Sequence, residues 1–342
     1  MEESDNRWRK VLLSGGALVG AAAVYNALAR KGVDQLTNLI GGEEGGFDWR
    51  GHRIAFTRRG NGPAILLIHG IHAAAWSYEW HDNADDLARG NTVYTIDLLG
   101  FGRSDRPAMR YSARLYISLI SDFVHQVIGD PCALVATSLS GAYATVLAAR
   151  DPARFPAIAL IAPTGLVRLH KSAGVGGEAE RLAVETPIVG TAMFNAMTSK
   201  RSLRSWLEKT YVDDTIVTDD LVDIYYWTSH QRGARHAPAA FISGHLDIDV
   251  RQALRRLSQP ALLVWGEDGS AAPLDEFRGF RAIKSDFELA VLTPAGDLPH
   301  DERPDDFNVI LSTWLNRLSL SSARTLDTLP GTPEVSQPTL PL

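Results

Sequence analysis

The chain has 342 residues, of which 45% are hydrophobic and 22% are charged, a balance typical of a globular protein rather than a disordered one. Its net charge of −6 and its scattered basic residues exclude a nucleic-acid surface, so no nucleic-acid partner is expected. The single cysteine, Cys132, excludes an intramolecular disulfide, and no CxxC motif or His/Cys cluster indicates a metal.

An uncharged stretch lies near the start of the chain, within residues 1–31. Residues 11–29, VLLSGGALVGAAAVYNALA, follow three basic residues and would reach roughly 28 Å as a helix, enough to cross a bilayer core. The stretch predicts a membrane anchor of one N-terminal helix. Two alternatives stay open: a signal peptide with an A-x-A-like cleavage site at 27–29, followed by export, and a helix that lies on the membrane or on the protein's own surface.

Residues 32–46 are typical of a linker, and the first strand signals follow it. Residues 47–58, FDWRGHRIAFTR, alternate around a turn at Arg50-Gly51 and predict a β-hairpin. Short apolar runs come next, each followed by a helical pattern: AILLIHG at 64–70, TVYTIDLLG at 92–100, CALVATS at 132–138, AIALIAPTG at 157–165, PALLVWGED at 260–268 and FELAVLTPAG at 287–296. Such uniformly apolar runs indicate strands buried on both faces, and their alternation with helices predicts a doubly wound, mostly parallel α/β sheet.

The strand signal disappears between residues 166 and 258. Helical patterns there cover 201–209, 219–232 and 249–257. An all-helical insert is typical of a cap, because ligands of open α/β sheets bind beyond the carboxyl ends of the strands. We therefore expect a core made of residues 47–165 and 259–318, with the cap at 166–258. Residues 319–342, rich in Pro, Ser and Thr, are expected to form a disordered tail.

Ser138 lies between an apolar strand and a helical pattern, with the small residues Ala136 and Ser140 two positions to either side. Small neighbours are needed where a strand and the following helix nearly touch. This arrangement, a variant of G-x-S-x-G, places the serine hydroxyl on a sharp turn above the sheet. Ser138 is therefore the predicted nucleophile.

Two further motifs follow buried strands, namely HG at 69–70 and DLLGFGRSD at 97–105. Together with the serine turn and the strand PALLVWGED, they occur in the order of the α/β-hydrolase family, which the chain resembles over about 47–318. The resemblance implies an α/β-hydrolase sheet with an inserted helical cap. It also implies an oxyanion hole formed by the backbone N–H groups of Ile71 and Leu139.

The sequence departs from that family at two positions of the catalytic triad. Where the family has W-G-x-x-D, this chain has WGEDG at 265–269, so Gly269 holds the acid position and Asp268 stands beside it. Where the family has A-G-H-x-P-H, this chain has AGDLPH at 295–300, so Asp297 holds the histidine position. A serine hydroxyl is a poor nucleophile unless a base accepts its proton, so the sequence predicts an incomplete triad.

Another histidine could supply the missing base. His300 lies three residues beyond the family position and at the same end of the sheet, which makes it the first substitute. His72 lies just past the oxyanion turn, and the cap contributes His230, His236 and His245. The simplest interpretation of each is a surface or packing histidine.

Two functions are consistent with these motifs. One is a weakly catalytic or non-catalytic protein that holds a small apolar or ester-like molecule in a capped pocket. The alternative is an active, esterase-like serine hydrolase that uses a displaced histidine such as His300. Lyase or cofactor-free oxygenase chemistry is disfavoured, because family members of that kind keep the histidine. No cofactor is implied.

Overall fold

The apolar runs form the central strands of an eight-stranded sheet in the computed structural model, which describes residues 2–166 and 175–327. The strands are β1 (Glu43–Trp49), β2 (His52–Arg59), β3 (Ala64–Ile68), β4 (Thr92–Ile96), β5 (Cys132–Thr137), β6 (Ile158–Ile161), β7 (Ala261–Gly266) and β8 (Glu288–Leu292). Their order across the sheet is β1-β2-β4-β3-β5-β6-β7-β8. The expected hairpin is present, since β1 and β2 pair antiparallel and Arg50 and Gly51 both have positive φ at the turn. Its first strand begins at Glu43, inside the segment 32–46 that was predicted to be a linker, because Glu43 to Gly46 pair with Arg58 to Ala55 of β2.

The sheet is mostly parallel because every pair from β4 to β8 runs in the same direction, and only β1 and β2 run against their neighbours. Strands β4, β5, β6 and β7 are buried along their whole length, as uniformly apolar runs require. Alternate residues of β3 enter opposite cores: Leu66 and Ile68 on one face, Ile65 and Leu67 on the other. Helices cover both faces, so the predicted fold class, a doubly wound α/β-hydrolase sheet, is confirmed.

The helices are α1 (Glu2–Ala29), α2 (Ala84–Leu87), α3 (Ala113–Phe123), α4 (Ser138–Arg150), α5 (Val175–Glu185), α6 (Val189–Met197), α7 (Lys200–Thr210), α8 (Asp219–Ser229), α9 (His236–Ile242), α10 (Arg251–Arg256), α11 (Phe277–Ile283), α12 (Pro299–Glu302) and α13 (Pro304–Asp327). Short 3₁₀ helices occur at Ser77–Trp80, Asp214–Ile216 and Leu274–Glu276, and a π-helical turn at Val124–Ile128. Helices α5 to α10 stand between β6 and β7, which is the insert that the sequence predicts as a cap.

The cap is joined firmly to the loop after β8. The carboxylate of Glu302 accepts hydrogen bonds from the backbone N–H groups of Val212 and Asp213 at 2.7 and 2.8 Å, and from that of Gly296 at 2.6 Å. The backbone N–H of Asp297 also donates to the carbonyl of Thr210 at 2.9 Å. These contacts fix the loop that follows β8 against the end of α7.

Helix α1 contains the stretch that was predicted to be a membrane anchor. No helix among residues 2–166 and 175–327 is both long enough and apolar enough to span a membrane, so the anchor predicted over 11–29, and the localisation drawn from that segment, are wrong. The physical reason is composition: the stretch is rich in Ala and Gly, which carry little apolar surface each. The last turns of α1 instead contact the cap, where Asn26 donates to the carbonyl of Ile188 at 2.8 Å.

The carboxyl-terminal segment differs from the expected tail at its beginning. Helix α13 starts at Pro304 and continues to Asp327, beyond the residue where the disordered tail was predicted to start. The remainder of that prediction, residues 328–342, lies outside the described residues.

Candidate active site

Ser138 stands on a sharp turn between β5 and α4. Its backbone has φ of 51°, a left-handed conformation that a residue with a side chain rarely adopts, while Thr137 before it is extended. Such strain costs about 1–3 kcal/mol and persists where the surrounding structure enforces it. The side chain of Ser138 is half-buried, at the carboxyl end of the sheet where ligands of this architecture bind.

The neighbours of Ser138 hold this turn in place. A Cβ on Gly141 would lie 3.2 Å from the Cβ of Pro163, so the first turn of α4 packs tightly against the loop after β6. The hydroxyl of Ser140 donates to the carbonyl of His69 at 2.6 Å. The residue that replaces the second glycine of the usual motif therefore ties the serine turn to the HG turn.

The HG turn follows β3, the direct neighbour of β5, with Ile68 and Ala136 in register. The Nε2 of His69 accepts a hydrogen bond from the backbone N–H of Leu98 at 3.0 Å, which leaves Nδ1 to donate to the carbonyl of Gly70 at 2.6 Å. Both ring nitrogens of His69 are thus engaged in holding the turn.

The predicted oxyanion-hole residues, Ile71 and Leu139, are both buried and follow these two adjacent strands. The structure therefore brings the two backbone positions to the same edge of the sheet. Backbone N–H groups aimed at a developing oxyanion are worth about 3–4 kcal/mol each to a transition state.

A carboxylate that sequence reasoning missed lies beside the serine turn. Glu79, in the 3₁₀ helix Ser77–Trp80, is 2% exposed. It accepts hydrogen bonds from the backbone N–H of Gly70 at 3.0 and 3.1 Å and from the hydroxyl of Thr137 at 2.5 Å. The Cβ of Ser138 and the Oε2 of Glu79 both lie within 4 Å of the point where a Cβ of Gly70 would stand.

His300, the predicted substitute base, is fully buried beneath this carboxylate. Its Nε2 lies 3.7 Å from Oε1 of Glu79, an ion-pair distance, and neither ring nitrogen makes a hydrogen bond within the described residues. The ring packs against Trp80 and Phe307, with centroids 4.4 and 5.7 Å away. The structure thus places His300 next to the carboxylate that also bonds the HG turn and Thr137.

The charge on Glu79 follows from these contacts. Burial alone raises the pKa of its carboxyl, but His300, His69 and the Thr137 hydroxyl outweigh burial and hold the pKa below its ordinary value. Glu79 is therefore an anion at neutral pH, next to the predicted nucleophile.

Asp297, which holds the family's histidine position, faces the loop after β7. Its carboxylate accepts hydrogen bonds from the backbone N–H of Ala271 at 2.8 and 3.0 Å, the backbone N–H of Ala272 at 3.0 Å and the hydroxyl of Ser270 at 3.1 Å. A Cβ on Gly269 would come within 3.1 Å of Oδ1 of Asp297. The Asp297 carboxylate thus occupies space into which a side chain at the family's acid position would extend.

The acid position itself is closed by backbone. A Cβ on Gly269 would also meet the carbonyl oxygen of Ala272 at 2.9 Å, closer than real Cβ contacts. The side chain of Asp268, one residue earlier, is exposed, and its carboxylate makes no hydrogen bond or ion pair with any described residue.

The remaining candidate histidines have other neighbours. His72 is stacked between Trp206 and Tyr225, with ring centroids 4.8 and 6.0 Å away, and burial lowers its pKa to about 4 despite the opposing charge of Glu79. In the cap, His236 lies 3.9 Å from a carboxylate oxygen of Glu185, His245 lies 3.2 Å from Glu178, and His230 bonds the carbonyl of Tyr226 at 2.9 Å. His170, which the sequence also contains, lies outside the described residues.

Within the part of the chain that the structure describes, the hydroxyl of Ser138 makes no hydrogen bond to an imidazole. Asp97 has a structural role, because it accepts from the backbone N–H of Ser77 at 2.8 Å and from Nε of Arg103 at 2.8 Å. The only signal that could have pointed to Glu79 is an ionisable residue inside an otherwise apolar and aromatic stretch, AAAWSYEW at 73–80.

Comparisons with known proteins find relatives and solved structures that share this fold. The curated 2-hydroxy-6-oxo-6-phenylhexa-2,4-dienoate hydrolase of Burkholderia cepacia is 26% identical over 273 residues, covering 77% of this chain and 91% of that protein. A solved serine hydrolase involved in carbazole degradation has a TM-score of 0.68 at 21% identity, covering 80% of this chain and 98% of that one. A solved membrane phospholipase A has a TM-score of 0.66 at 22% identity, covering 93% of this chain and 99% of that one.

At these identities the two solved structures show the shared fold alone. The sequence model of the Alpha/beta hydrolase family, however, matches residues 65–309, which include the HG turn, the serine turn and both rearranged loops. This chain belongs to the alpha/beta hydrolase family.

Proposed function

We propose that this protein binds a small apolar or ester-like molecule between the sheet and the cap, and that it turns such a molecule over slowly or not at all. The observation that carries the proposal is the position of Asp297. Its two carboxylate oxygens accept four hydrogen bonds from the loop after β7, so the group in the family's histidine position is bound to a loop.

The chemical argument concerns the proton of Ser138. For its Oγ to attack a carbonyl carbon, a base must take the hydroxyl proton and later return it to the leaving group. Without such a base, the oxyanion hole and substrate binding alone leave about 10³–10⁴-fold catalysis over water. That activity is far below that of an efficient esterase.

The relatives support the ligand class. The Burkholderia cepacia protein is named as the hydrolase of a hexadienoate that carries a phenyl group. We therefore expect a ligand with an apolar ring or chain at one end and a carbonyl or carboxylate at the other, with Ser138 and the oxyanion turn at the polar end.

A fluorophosphonate probe tests this proposal, because it reacts covalently with an activated serine. We expect slow labelling of the native chain and no labelling of Ser138→Ala, together with saturable binding of an apolar ester such as p-nitrophenyl butyrate to both. Rapid labelling that depends on Ser138 would contradict the proposal that the protein turns its ligand over slowly or not at all. Failure of both proteins to bind the ester would contradict the proposal that it binds such a molecule.

An active serine hydrolase is the second candidate, and the Glu79–His300 pair favours it. Here the proton of Ser138 would pass to the Glu79 carboxylate, directly or through one water, with His300 stabilising that carboxylate from behind. Glu79→Gln keeps the shape of the side chain and His300→Gln keeps its polarity and approximate size, and each change removes a group that can take up a proton. If labelling is rapid and both variants lose it at least tenfold, this second candidate replaces the first.

Two matched variants decide whether a different imidazole acts instead. His72→Gln changes the residue that follows Ile71 at the predicted oxyanion turn, and His170→Gln changes the histidine outside the described residues. Loss of rapid labelling in only one of these variants would identify that ring as the base and contradict the role given to Glu79.

A further inference from the structure

A cavity of about 280 Å³ lies where the end of α1 meets the cap, away from Ser138. Its walls are held by hydrogen bonds between the two elements. Asn195 donates to Asn26 at 3.0 Å, and the hydroxyl of Tyr226 donates to the carbonyl of Ala29 at 2.6 Å. The volume is just below the range of drug-sized ligand pockets, about 300–1,000 Å³, which suits a small molecule.

The lining of this cavity is cationic. Three arginines contribute to it, Arg30 from the residue after α1 and Arg232 and Arg235 from the segment between α8 and α9, and no carboxylate residue lies among its described lining. A second cavity, between the cap and the core, is by contrast lined by Asp82, Asp220, Asp301 and Glu302. The charged residues that line these two cavities therefore have opposite signs.

His230 adds an unsatisfied polar atom to the cavity. The residue is 2% exposed, and its Nδ1 lies 2.9 Å from the carbonyl oxygen of Tyr226, which can only accept, so Nδ1 carries the proton of the neutral ring. Its Nε2 makes no hydrogen bond within the described residues. Burial lowers the pKa of His230 to about 4, although the carbonyls of Tyr226 and Asn195 oppose this, so at neutral pH Nε2 is an acceptor.

Arg235 also has a polar atom without a hydrogen-bond partner in this cavity. Its Nε is buried and has no hydrogen-bond partner among the described residues. Burial lowers the pKa of Arg235, Glu185 opposes that effect, and the charge of Arg30 adds to it. Glu185 forms its close ion pair with Arg181, and neither Arg30 nor Arg235 forms an ion pair with a described residue.

We propose that this cavity is a binding site for a phosphate group, either free or carried by a small phosphomonoester. Guanidinium groups match the oxygens of phosphate in pairs, and several of them favour a doubly charged anion. The Nε2 of His230 needs a donor, which is supplied by the hydroxyl of free hydrogen phosphate or by an alcohol hydroxyl in the organic part of a doubly charged phosphomonoester; acetate has neither. Ile188 and Phe194 line the same cavity and provide apolar surface for the organic part of an ester.

The test measures binding of inorganic phosphate and of glycerol 3-phosphate to the full chain by calorimetry, at an ionic strength held constant with chloride. We expect saturable binding of at least one of them, weakened at least tenfold in Arg30→Gln and in Arg235→Gln. Tighter binding of glycerol 3-phosphate would identify a phosphomonoester site, whereas equal binding would identify a site for free phosphate.

Matched controls separate the site from general charge. Arg255→Gln with Arg256→Gln removes two exposed arginines of α10 and should leave phosphate binding unchanged, as should Ser138→Ala. Because the readout is binding away from Ser138, it stands independently of the proposed function. No saturable phosphate binding, equal binding of acetate, or equal weakening in the α10 control would each overturn the proposal.

Discussion

The candidate active site has two halves that differ in what they retain. At the carboxyl ends of β3 and β5, the HG turn and the serine turn are tied together by Ser140, and Ser138 keeps its strained φ of 51°. At the carboxyl ends of β7 and β8, Gly269 and Asp297 stand at the positions that the sequence predicts for the triad acid and histidine, and the loop after β7 is closed around the Asp297 carboxylate.

The difference shows which features the fold itself enforces. The turn at Ser138 follows from a parallel strand running into a tightly packed helix, so backbone packing maintains it whether or not the serine reacts. The triad acid and base depend only on which side chain occupies a loop. Such side chains can be exchanged while the sheet remains unchanged, and a loop can then settle around the new group.

The largest effect is expected at Glu79, which joins the two halves. Glu79→Ala removes the partner of Gly70, Thr137 and His300 and leaves these buried polar groups unsatisfied. We expect the free energy of unfolding to fall by about 3–5 kcal/mol, as when one member of a buried pair is deleted. Urea denaturation measures the loss, and a loss below 1 kcal/mol would show that the halves are not coupled through this residue.

The next effect is a dependence of the free energy of unfolding on pH, which arises from His72 next to the HG turn in the first half. The pKa of His72 is about 4 in the folded chain and about 6.5 when unfolded, so the unfolded chain takes up a proton first as the pH falls. Stability should decline between about pH 6.5 and 4 and level off below, by about 2 kcal/mol for this partly exposed ring. His72→Phe keeps an aromatic ring beside Trp206 and should reduce that slope; an unchanged slope would assign the acid sensitivity elsewhere.

A smaller effect is expected in the second half. Asp297→Ala removes the acceptor that holds the loop after β7 and should lower the free energy of unfolding by about 1–2 kcal/mol. We expect the rate of probe labelling at Ser138 to stay the same, because the Asp297 carboxylate is held by the loop after β7. Asp268→Asn, at an exposed carboxylate, is the matched control and should change neither quantity. If Asp297→Ala slows labelling and Asp268→Asn does not, Asp297 in the second half contributes to the reactivity of Ser138 in the first half.

The smallest effect concerns the strain at the serine turn. Glycine adopts positive φ without steric cost, so Ser138→Gly should be about 1 kcal/mol more stable than Ser138→Ala. Thermal unfolding of the two variants gives the difference. Equal stability would mean that the positive φ at position 138 does not measurably lower the free energy of unfolding.

The sheet and the serine turn could be predicted from the sequence for a physical reason. Strands such as β5 are apolar along their whole length, and the small residues around Ser138 are a local requirement, so both leave a continuous pattern in the chain. Glu79 leaves none, because its partner Thr137 lies 58 positions later in the chain. The direction of the Asp297 side chain depends likewise on a loop 25 residues away.

The error at the N-terminus has a similar origin. The number of uncharged residues over 11–29 gives the length of the segment. It overestimates the apolar surface, because Ala and Gly carry less of it than larger apolar residues do. It could not reveal that Asn26 near the end of this segment bonds the cap.

The closed turn after β7 also limits how this chain could be engineered. Installing the catalytic residues usual in the family would need a histidine at position 297 and a carboxylate at position 269, yet a Cβ at 269 would lie 2.9 Å from the carbonyl oxygen of Ala272. The backbone of this turn would therefore have to shift before the two side chains could be accommodated together.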